Sequence, residues 1–321
     1  MEIGKRQYKA WLYLAPTIIL MLIFTLYPLI NTFIIAFKEN YNYLNIGDGR
    51  GPLDEQFLYE FSSWGFGNFK AVLSTGSFVK YLVNTLAIVF ISVPLSVILS
   101  LIIAVSLNGI KFFQKVYQTI FFMPYVTNTI AIGMVFSVMF STNSGLVNYL
   151  IQVFGGEPIN WLGGNLVSGA KPTYWSQMSL LLIYITWSAL PFKILILLSG
   201  LQGIDKQYYQ AAQIDGASKM RTLLKITVPL LSPQIAYLLI TSFIGAFKEY
   251  SSVIAIFGNS AGAIGDSKRM GTVVFYIYER MKSTDLTKGM GYAAAGAVIL
   301  FIIIMLFTAL NFWVGKKRVH Y

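Results

Sequence analysis

Six long apolar stretches alternate with shorter polar connections along the chain. Each contains roughly 20 or more predominantly apolar residues, the length that an α-helix needs to cross the hydrocarbon core of a bilayer. The pattern therefore predicts an all-α, polytopic membrane protein with six transmembrane helices. The predicted spans are residues 10–37, 78–107, 119–140, 178–200, 230–257 and 290–314.

Prolines interrupt most of these stretches and predict kinks in them, because membrane helices tolerate proline where neighbouring groups satisfy the freed carbonyls. They are Pro16, Pro28, Pro94, Pro124, Pro191 and Pro233. The first stretch is much longer than the apolar core of a signal peptide, about 7 to 15 residues, and lacks a small-residue cleavage site. We expect it to be retained as a span.

Composition agrees with a membrane protein. Apolar residues make up 56% of the 321 residues and charged residues only 12%, whereas about a quarter of a soluble chain is charged. The chain has no cysteine and one histidine, His320, in the tail. These counts exclude disulfides and predict no zinc, haem or iron–sulfur site.

The basic residues indicate the orientation. Lysines and arginines are dense in residues 1–9, in the connection after the second span, in residues 204–229 and in the tail, residues 315–321. With six spans these four segments lie on one side, and the positive-inside bias makes that side the cytosol. The basic segment 268–288 argues the other way. No basic patch is interleaved with stacking aromatics, so nucleic-acid binding is not expected.

A polar, basic segment from Tyr208 to Pro233 separates the fourth and fifth spans. Residues 210–214 favour a short helix, and residues 218–225 favour a second one. Between them, Asp215 and Gly216 favour a sharp bend, because glycine accepts positive φ and aspartate tolerates it. We call residues 204–229 the elbow. Held between two rigid spans, it can pass a partner's movement to the membrane helices.

Residues of the elbow carry a family resemblance. The spacing of Ala211, Ala212, Gly216, Ile226 and Pro229 resembles the EAA coupling loop of binding-protein-dependent ABC importer permeases. The triplet Asp215, Gly216, Ala217 resembles the carbohydrate, MalF-type branch, although Gln210 replaces that family's glutamate. Supporting matches are NFKAVL from Asn68, the pair Asn84 and Thr85, FFMPYV from Phe121, LPFKILILLSGLQGI from Leu190 and TVVFYIYERM from Thr272.

The resemblance implies a type I ABC importer permease (MetI-like) fold in a bacterial cell membrane, with both termini cytosolic. It implies a heterodimer with a second homologous permease, a carbohydrate substrate from an extracellular solute-binding protein, and ATP and magnesium on a cytosolic ABC ATPase dimer. This chain has no P-loop of its own. The implied ATPase-coupling residues are Gln210, Ala211, Ala212, Asp215, Gly216, Ala217, Ser218 and Pro229.

A translocation pathway is the second candidate site. Charges within a membrane are costly and mark functional sites, and Lys248 and Glu249, followed by Tyr250, fall in the predicted fifth span. They are alternatively a rim feature with separate partners, and Lys193 in the fourth span alternatively snorkels to the cytosolic surface. Asn84, Tyr184 and Trp187 are possible sugar contacts, or packing and interfacial residues.

Other functions have weaker support. Gly289, Gly291 and Ala294 fit a dinucleotide fingerprint, but a strand and a βαβ unit are missing, and small residues for close helix packing explain them better. The main alternative is an ion-coupled secondary transporter acting without an ATPase, although the spans hold few acids and no inverted repeat is evident. A membrane-bound enzyme would need a clustered acid, base or nucleophile, which the sequence does not provide.

Overall fold

The computed structural model describes residues 7–39, 41, 63–110, 112, 114–163, 171–264, 268–283 and 289–318. Residues 1–6, Lys288 and His320, on which predictions were made, lie outside this part. The described residues form helices with two isolated β-bridges, so the predicted all-α class is confirmed. The α-helices are α1 Gln7–Met21, α2 Tyr27–Phe37, α3 Gly67–Ser74, α4 Gly76–Gly109, α5 Gln114–Val126, α6 Thr129–Met139, α7 Leu146–Val153, α8 Tyr174–Gln202, α9 Lys206–Ile214, α10 Lys219–Thr222, α11 Val228–Leu230, α12 Ser232–Phe247, α13 Ser251–Phe257, α14 Val273–Met281 and α15 Gly289–Arg318.

Four stretches of the described chain are long and apolar enough to cross a membrane as single helices. They are Trp11–Phe37, Gly76–Gly109, Tyr174–Gln202 and Gly289–Trp313. Two further pairs are bent: Val116–Val126 meets Thr129–Met139 at 99°, and Lys219–Leu230 meets Ser232–Phe247 at 70°. If each bent pair crosses once, the number of spans is the six expected from the sequence.

The bends do not follow the prolines in a simple way. Pro94 and Pro191 lie inside the uninterrupted helices α4 and α8. The sharp bend between α5 and α6 lies just after Pro124, where the Asn128 side chain accepts hydrogen bonds from the backbone N–H groups at 130 and 131. That side chain caps the start of α6, so a polar cap in the middle of an apolar stretch creates the break.

The chain divides into two compact units. The first comprises Met1–Val79 and Tyr276–Ile302. In it, the buried Asn68 amide donates hydrogen bonds to the carbonyls of Ala36, at 3.1 Å, and Lys38, at 2.8 Å. A Cβ at Gly291 would lie 2.8 Å from Asn68 Nδ2. Gly291 is therefore a close-packing glycine, as the small-residue interpretation of this segment predicted.

Two cations of the basic segment 268–288 lie in the first unit. The Arg280 guanidinium lies 5.1 Å from the ring centroid of Tyr276 and 5.9 Å from that of Tyr292, and Lys282 Nζ lies 4.4 Å from that of Tyr278. Burial raises the pKa of the Tyr276 hydroxyl above its ordinary value. These cations thus lie over local aromatic faces, which lowers the cost of placing them among apolar groups.

The second unit comprises Lys80–Phe275 and Ile303–Tyr321 and contains the elbow and the candidate pathway residues. Its core joins α4, α8 and α12 through buried aliphatic side chains, which include Ala104, Leu107, Leu197, Leu201, Leu231 and Leu238. Helices α6 and α13 approach closely at Gly133, where an added Cβ would lie 2.2 Å from the Ala255 Cβ. Glycine is needed there because the two helices leave no room for a side chain.

Candidate coupling elbow and pathway residues

The first arm of the elbow is α9. The Asp205 carboxylate accepts a hydrogen bond of 3.0 Å from the Gln207 N–H and caps the helix. Because of this cap, the helix begins at Lys206, four residues before the start expected from the sequence. The arm is therefore a helix of nine residues.

The bend of the elbow is a glycine-terminated helix end. Gly216 has a φ of +66°, the Ala217 N–H donates to the Ala212 carbonyl at 2.9 Å, and the Gly216 N–H donates to the Gln213 carbonyl at 3.1 Å. These two bonds form a Schellman motif. Nothing lies within 4 Å of a Cβ added at Gly216, so the backbone conformation, not space, requires glycine. The Ser218 hydroxyl then accepts from the Arg221 N–H and caps α10.

Most of the predicted coupling residues lie at the surface of the elbow. Ala212 is buried, and Ala217 and Pro229 are half-buried. The exposed members are Gln210, Ala211, Asp215, Gly216 and Ser218. Their side chains are small or polar, which leaves the backbone of the bend open to close approach from outside the chain.

Large apolar side chains are also exposed along the elbow. Ile214 is 86% exposed, and Met220, Leu224 and Tyr208 are exposed as well. The sequence predicts Tyr208, Tyr209, Met220 and Leu223 as anchors for a partner. Of these, Tyr209 and Leu223 are only half-exposed, and Ile214 and Leu224 were missed. An isoleucine at the end of an otherwise polar helix was the available signal. A cluster of this kind on a polar surface is typical of a protein contact site.

The C-terminal end of the elbow leads directly into the fifth span. The chain after α10 continues through a π-helical turn, Leu223–Thr227, into α11, whereas the sequence predicted one helix over residues 218–225. The Tyr209 hydroxyl of α9 lies 3.3 Å from the hydroxyl oxygen of Thr227, which is buried. Farther along, a Cβ at Gly200 would lie 2.8 Å from Leu231 Cδ2. The first contact holds α9 against the turn that leads into α11, and the second packs α8 against the start of α12.

Lys248, Glu249 and Tyr250 lie in a break between α12 and α13, not within one continuous helix as the fifth predicted span implies. The Glu249 carboxylate accepts from the Ser252 N–H at 2.9 Å, and its backbone carbonyl accepts from the Thr272 hydroxyl at 2.7 Å. Lys248 is exposed. The break therefore falls at the charged residues. The Glu249 carboxylate lies at the start of α13, where the free N–H groups of the helix stabilise it.

Asn84 is a buried tie between α4 and the segment before α14. Its amide donates to the carbonyls of Arg269, at 2.8 Å, and Gly271, at 2.9 Å, and its oxygen accepts from the Tyr174 hydroxyl at 3.0 Å. Both amide hydrogens are used, so in this conformation they are not offered to a ligand. Its role as a sugar contact stays a prediction.

Tyr184 and Trp187 share an aromatic cluster on α8. Each ring lies 5.1 Å, centroid to centroid, from the ring of Phe136 on α6. Tyr184 is buried, and its hydroxyl donates to the Thr129 carbonyl at 2.6 Å. Trp187 is half-buried. The cluster therefore packs α8 against the start of α6, directly after the bend at Asn128.

Lys193 does not snorkel to the surface. It is 5% exposed on α8, and its Nζ donates to the Ser96 hydroxyl of α4. The snorkelling interpretation was wrong, because a serine at the same depth on the neighbouring helix gives the ammonium a polar partner within reach. Among the described residues, no three His, Cys, Asp or Glu side chains come together as a metal site would require.

Comparison with known proteins agrees with this geometry. Residues 102–320 match the family described as binding-protein-dependent transport system inner membrane component. The chain is 29% identical to the lactose transport system permease protein LacF of Rhizobium radiobacter, over 98% of this chain and 97% of that protein. It is 30% identical to the arabinooligosaccharides transport system permease protein AraP of Bacillus subtilis (strain 168), over 94% of this chain and 86% of that protein.

A solved structure shares the fold. The chain resembles a chain in the crystal structure of a bacterial ABC transporter involved in the import of the acidic polysaccharide alginate. The TM-score is 0.72, and the two chains are 20% identical, with 98% of each covered. The predicted type I ABC importer permease fold and the predicted family are thus confirmed. The protein is a multi-pass transport permease and not an enzyme. It belongs to the family of inner membrane components of binding-protein-dependent transport systems.

Proposed function

We propose that the chain forms one half of the translocation channel of an ATP-driven ABC importer for sugars or oligosaccharides. The observation that carries the proposal is the elbow, whose bend at Gly216 exposes its backbone and is accompanied by exposed apolar side chains. The carbohydrate substrate is supported by relatives named for lactose and for arabinooligosaccharides, which match over nearly the whole chain.

The elbow would be the contact for a cytosolic ABC ATPase dimer. Ala211 and Ser218 are exposed and small, so a partner surface can approach the bend closely, while Ile214 and Met220 offer apolar anchors. A displacement of α9 would reach α11 and α12 through the contact of Tyr209 with Thr227. Such a rigid-body shift is how a packed helix pair transmits motion.

The remaining partners follow from this arrangement. ATP and magnesium would be held by the ATPase subunits, since the chain has no P-loop. A second homologous permease would complete the channel as a heterodimer, and an extracellular solute-binding protein would deliver the substrate. Both termini would lie in the cytosol of the bacterial cell, on the side of the elbow, as the distribution of basic residues supports.

The pathway is assigned to the residues at the two helix breaks. Tyr184 and Trp187 pack against Phe136 on α6, just after the bend between α5 and α6. Lys248, Glu249 and Tyr250 form the break between α12 and α13. Broken helices present free backbone groups to a polar route. Asn84 would join the pathway only in a state that releases its bonds to Arg269 and Gly271.

Reconstitution tests the proposal. The complex containing this chain would be purified with its partners, inserted into liposomes, and supplied with binding protein and a panel of labelled oligosaccharides. Uptake should require ATP and magnesium on the elbow side and should persist when proton and sodium gradients are dissipated. Uptake driven by an ion gradient without ATP would instead establish the secondary-transporter alternative.

A further inference from the structure

The short helix α7 carries an apolar stripe on its outward face. Tyr149 is 63% exposed, Val153 61% and Phe154, directly after the helix, 87%. Leu146 and Leu150 complete the stripe and are exposed too. The spacing of these five positions places them on one side of a helix. No residue of the described part of the chain covers the stripe.

The opposite face of α7 is fixed by a buried asparagine. The Asn148 amide donates to the carbonyls of Thr142 and Ile159, each at 2.8 Å, and its oxygen accepts from the Ile159 N–H at 3.1 Å and from Trp161 Nε1 at 3.0 Å. These four bonds use the full capacity of the side chain. The helix cannot rotate without breaking them, so the stripe is held outward.

The position of α7 places the stripe beside the membrane. Residues 140–145 connect α6, the second half of the bent pair at the third predicted span, to α7. At Gly145 the chain turns so tightly that an added Cβ would lie 2.6 Å from the Met139 carbonyl oxygen. The start of α7 therefore folds directly against the end of α6, where the candidate span Val116–Val126 with Thr129–Met139 ends.

We infer that α7 lies in the membrane interface, with its stripe inserted among the headgroups and upper acyl chains of the lipid. No charged residue occurs between Lys115 and Glu157, so the stripe lacks the charge complementarity by which a transient protein partner is steered. A partner that dissociates would also leave five large apolar side chains in water, whereas lipid is always present next to Met139. Tyrosine is favoured at this depth.

This inference does not depend on the substrate, the ATPase or the orientation of the chain, only on the position of α7 next to a span. It is tested with nitroxide spin labels, since the chain has no native cysteine. Single cysteines are introduced by Tyr149→Cys and Val153→Cys in the stripe and by Gln152→Cys as the matched control. Gln152 is also exposed but lies outside the stripe. The complex with the unaltered chain gives the background labelling.

In liposomes without binding protein, labels at 149 and 153 should collide several-fold more with oxygen, which concentrates in lipid, than with a water-soluble nickel complex. The label at 152 should show the reverse preference. Nickel accessibility at 149 and 153 equal to that at 152 would overturn the inference. Shielding from both reagents, or shielding that begins only after binding protein is added, would also overturn it and assign the stripe to a protein contact.

Discussion

The Ala217 N–H donates a hydrogen bond of 2.9 Å to the carbonyl of Ala212, and this bond closes the bend of the elbow around Gly216. Three features lie next to this bond: α9 ends at Ile214, Gly216 has a positive φ, and α10 begins at Lys219. The family resemblance placed the coupling function on these residues. The structure adds a physical reason why residue 216 is glycine: its φ is positive.

Gly216→Val should abolish sugar uptake while leaving the chain in the membrane. A β-branched residue at φ +66° costs about 1–3 kcal/mol, and that strain would open the bend. Because the bend at Gly216 lies between the candidate spans Tyr174–Gln202 and Lys219–Leu230, insertion should be normal. Uptake and ATPase activity of the reconstituted complex, with abundance in the membrane fraction, measure the effect.

Two controls separate backbone strain from bulk. Gly76→Val places the same side chain at a glycine with open space around it and without positive φ, and should be active. Gly216→Asn should retain most activity, because asparagine tolerates the left-handed conformation. A fully active and abundant Gly216→Val variant would remove the bend from the coupling mechanism.

Tyr209→Phe should lower the number of substrate molecules transported per ATP hydrolysed. The change removes only the hydroxyl that contacts Thr227, a contact worth about 0.5–1.5 kcal/mol, and loosens α9 from the turn that leads into α11 and α12. Tyr208→Phe is the matched control, since the Tyr208 side chain is exposed at the neighbouring position. Equal coupling ratios in the two variants would show that the contact carries no motion.

The sequence predicted the features that depend on neighbouring residues, namely the long apolar helices and the bend of the elbow. Apolar length identified the spans, and the Asp215 and Gly216 pair identified the bend, because each rests on neighbouring residues alone. Lys248 and Glu249 were a local signal as well, but they were interpreted as charges within a span when they mark the break at its end. The polar residues around Asn128 marked the other break in the same way.

Contacts between distant segments were beyond sequence reasoning. The partners of Asn84, at 269 and 271, lie more than 180 residues away in the chain, and Ser96 lies 97 residues from Lys193. Whether a polar side chain in a span faces a ligand or a carbonyl is decided by helix packing. A single sequence does not contain that information.

Gly133→Ala should destabilise the packing of α6 against α13, and Ala255→Gly in the same chain should restore part of the lost stability. The Cβ of alanine at 133 would lie 2.2 Å from the Ala255 Cβ, so α6 and α13 would have to separate. Removing the second methyl group eliminates the closest contact and leaves the added Cβ 3.1 Å from the backbone of residue 255. Thermal denaturation in detergent measures the four members of this double-mutant cycle, and simple additivity would contradict the predicted close contact.

Gly245→Ala is the control for this cycle. Nothing lies within 4 Å of a Cβ added there, and alanine favours a helix by about 1 kcal/mol relative to glycine. The control should therefore be neutral or stabilising, which would show that the effect at 133 comes from the packing of α6 against α13.

Single cysteines at Ser218 and Ser144 should react with a membrane-impermeant thiol reagent from opposite sides. Both residues are exposed, Ser218 at the elbow and Ser144 between α6 and α7, and the chain has no cysteine to compete. If the elbow is cytosolic, Ser144→Cys should be labelled in intact cells and Ser218→Cys only after the membrane is opened. Ser283→Cys, in the basic segment 268–288, should behave like Ser144→Cys. Arg280 and Lys282 of that segment lie over tyrosine rings, so these cations do not by themselves require a cytosolic location. Labelling of Ser218→Cys from outside would invert the orientation and exclude a cytosolic ATPase from the elbow.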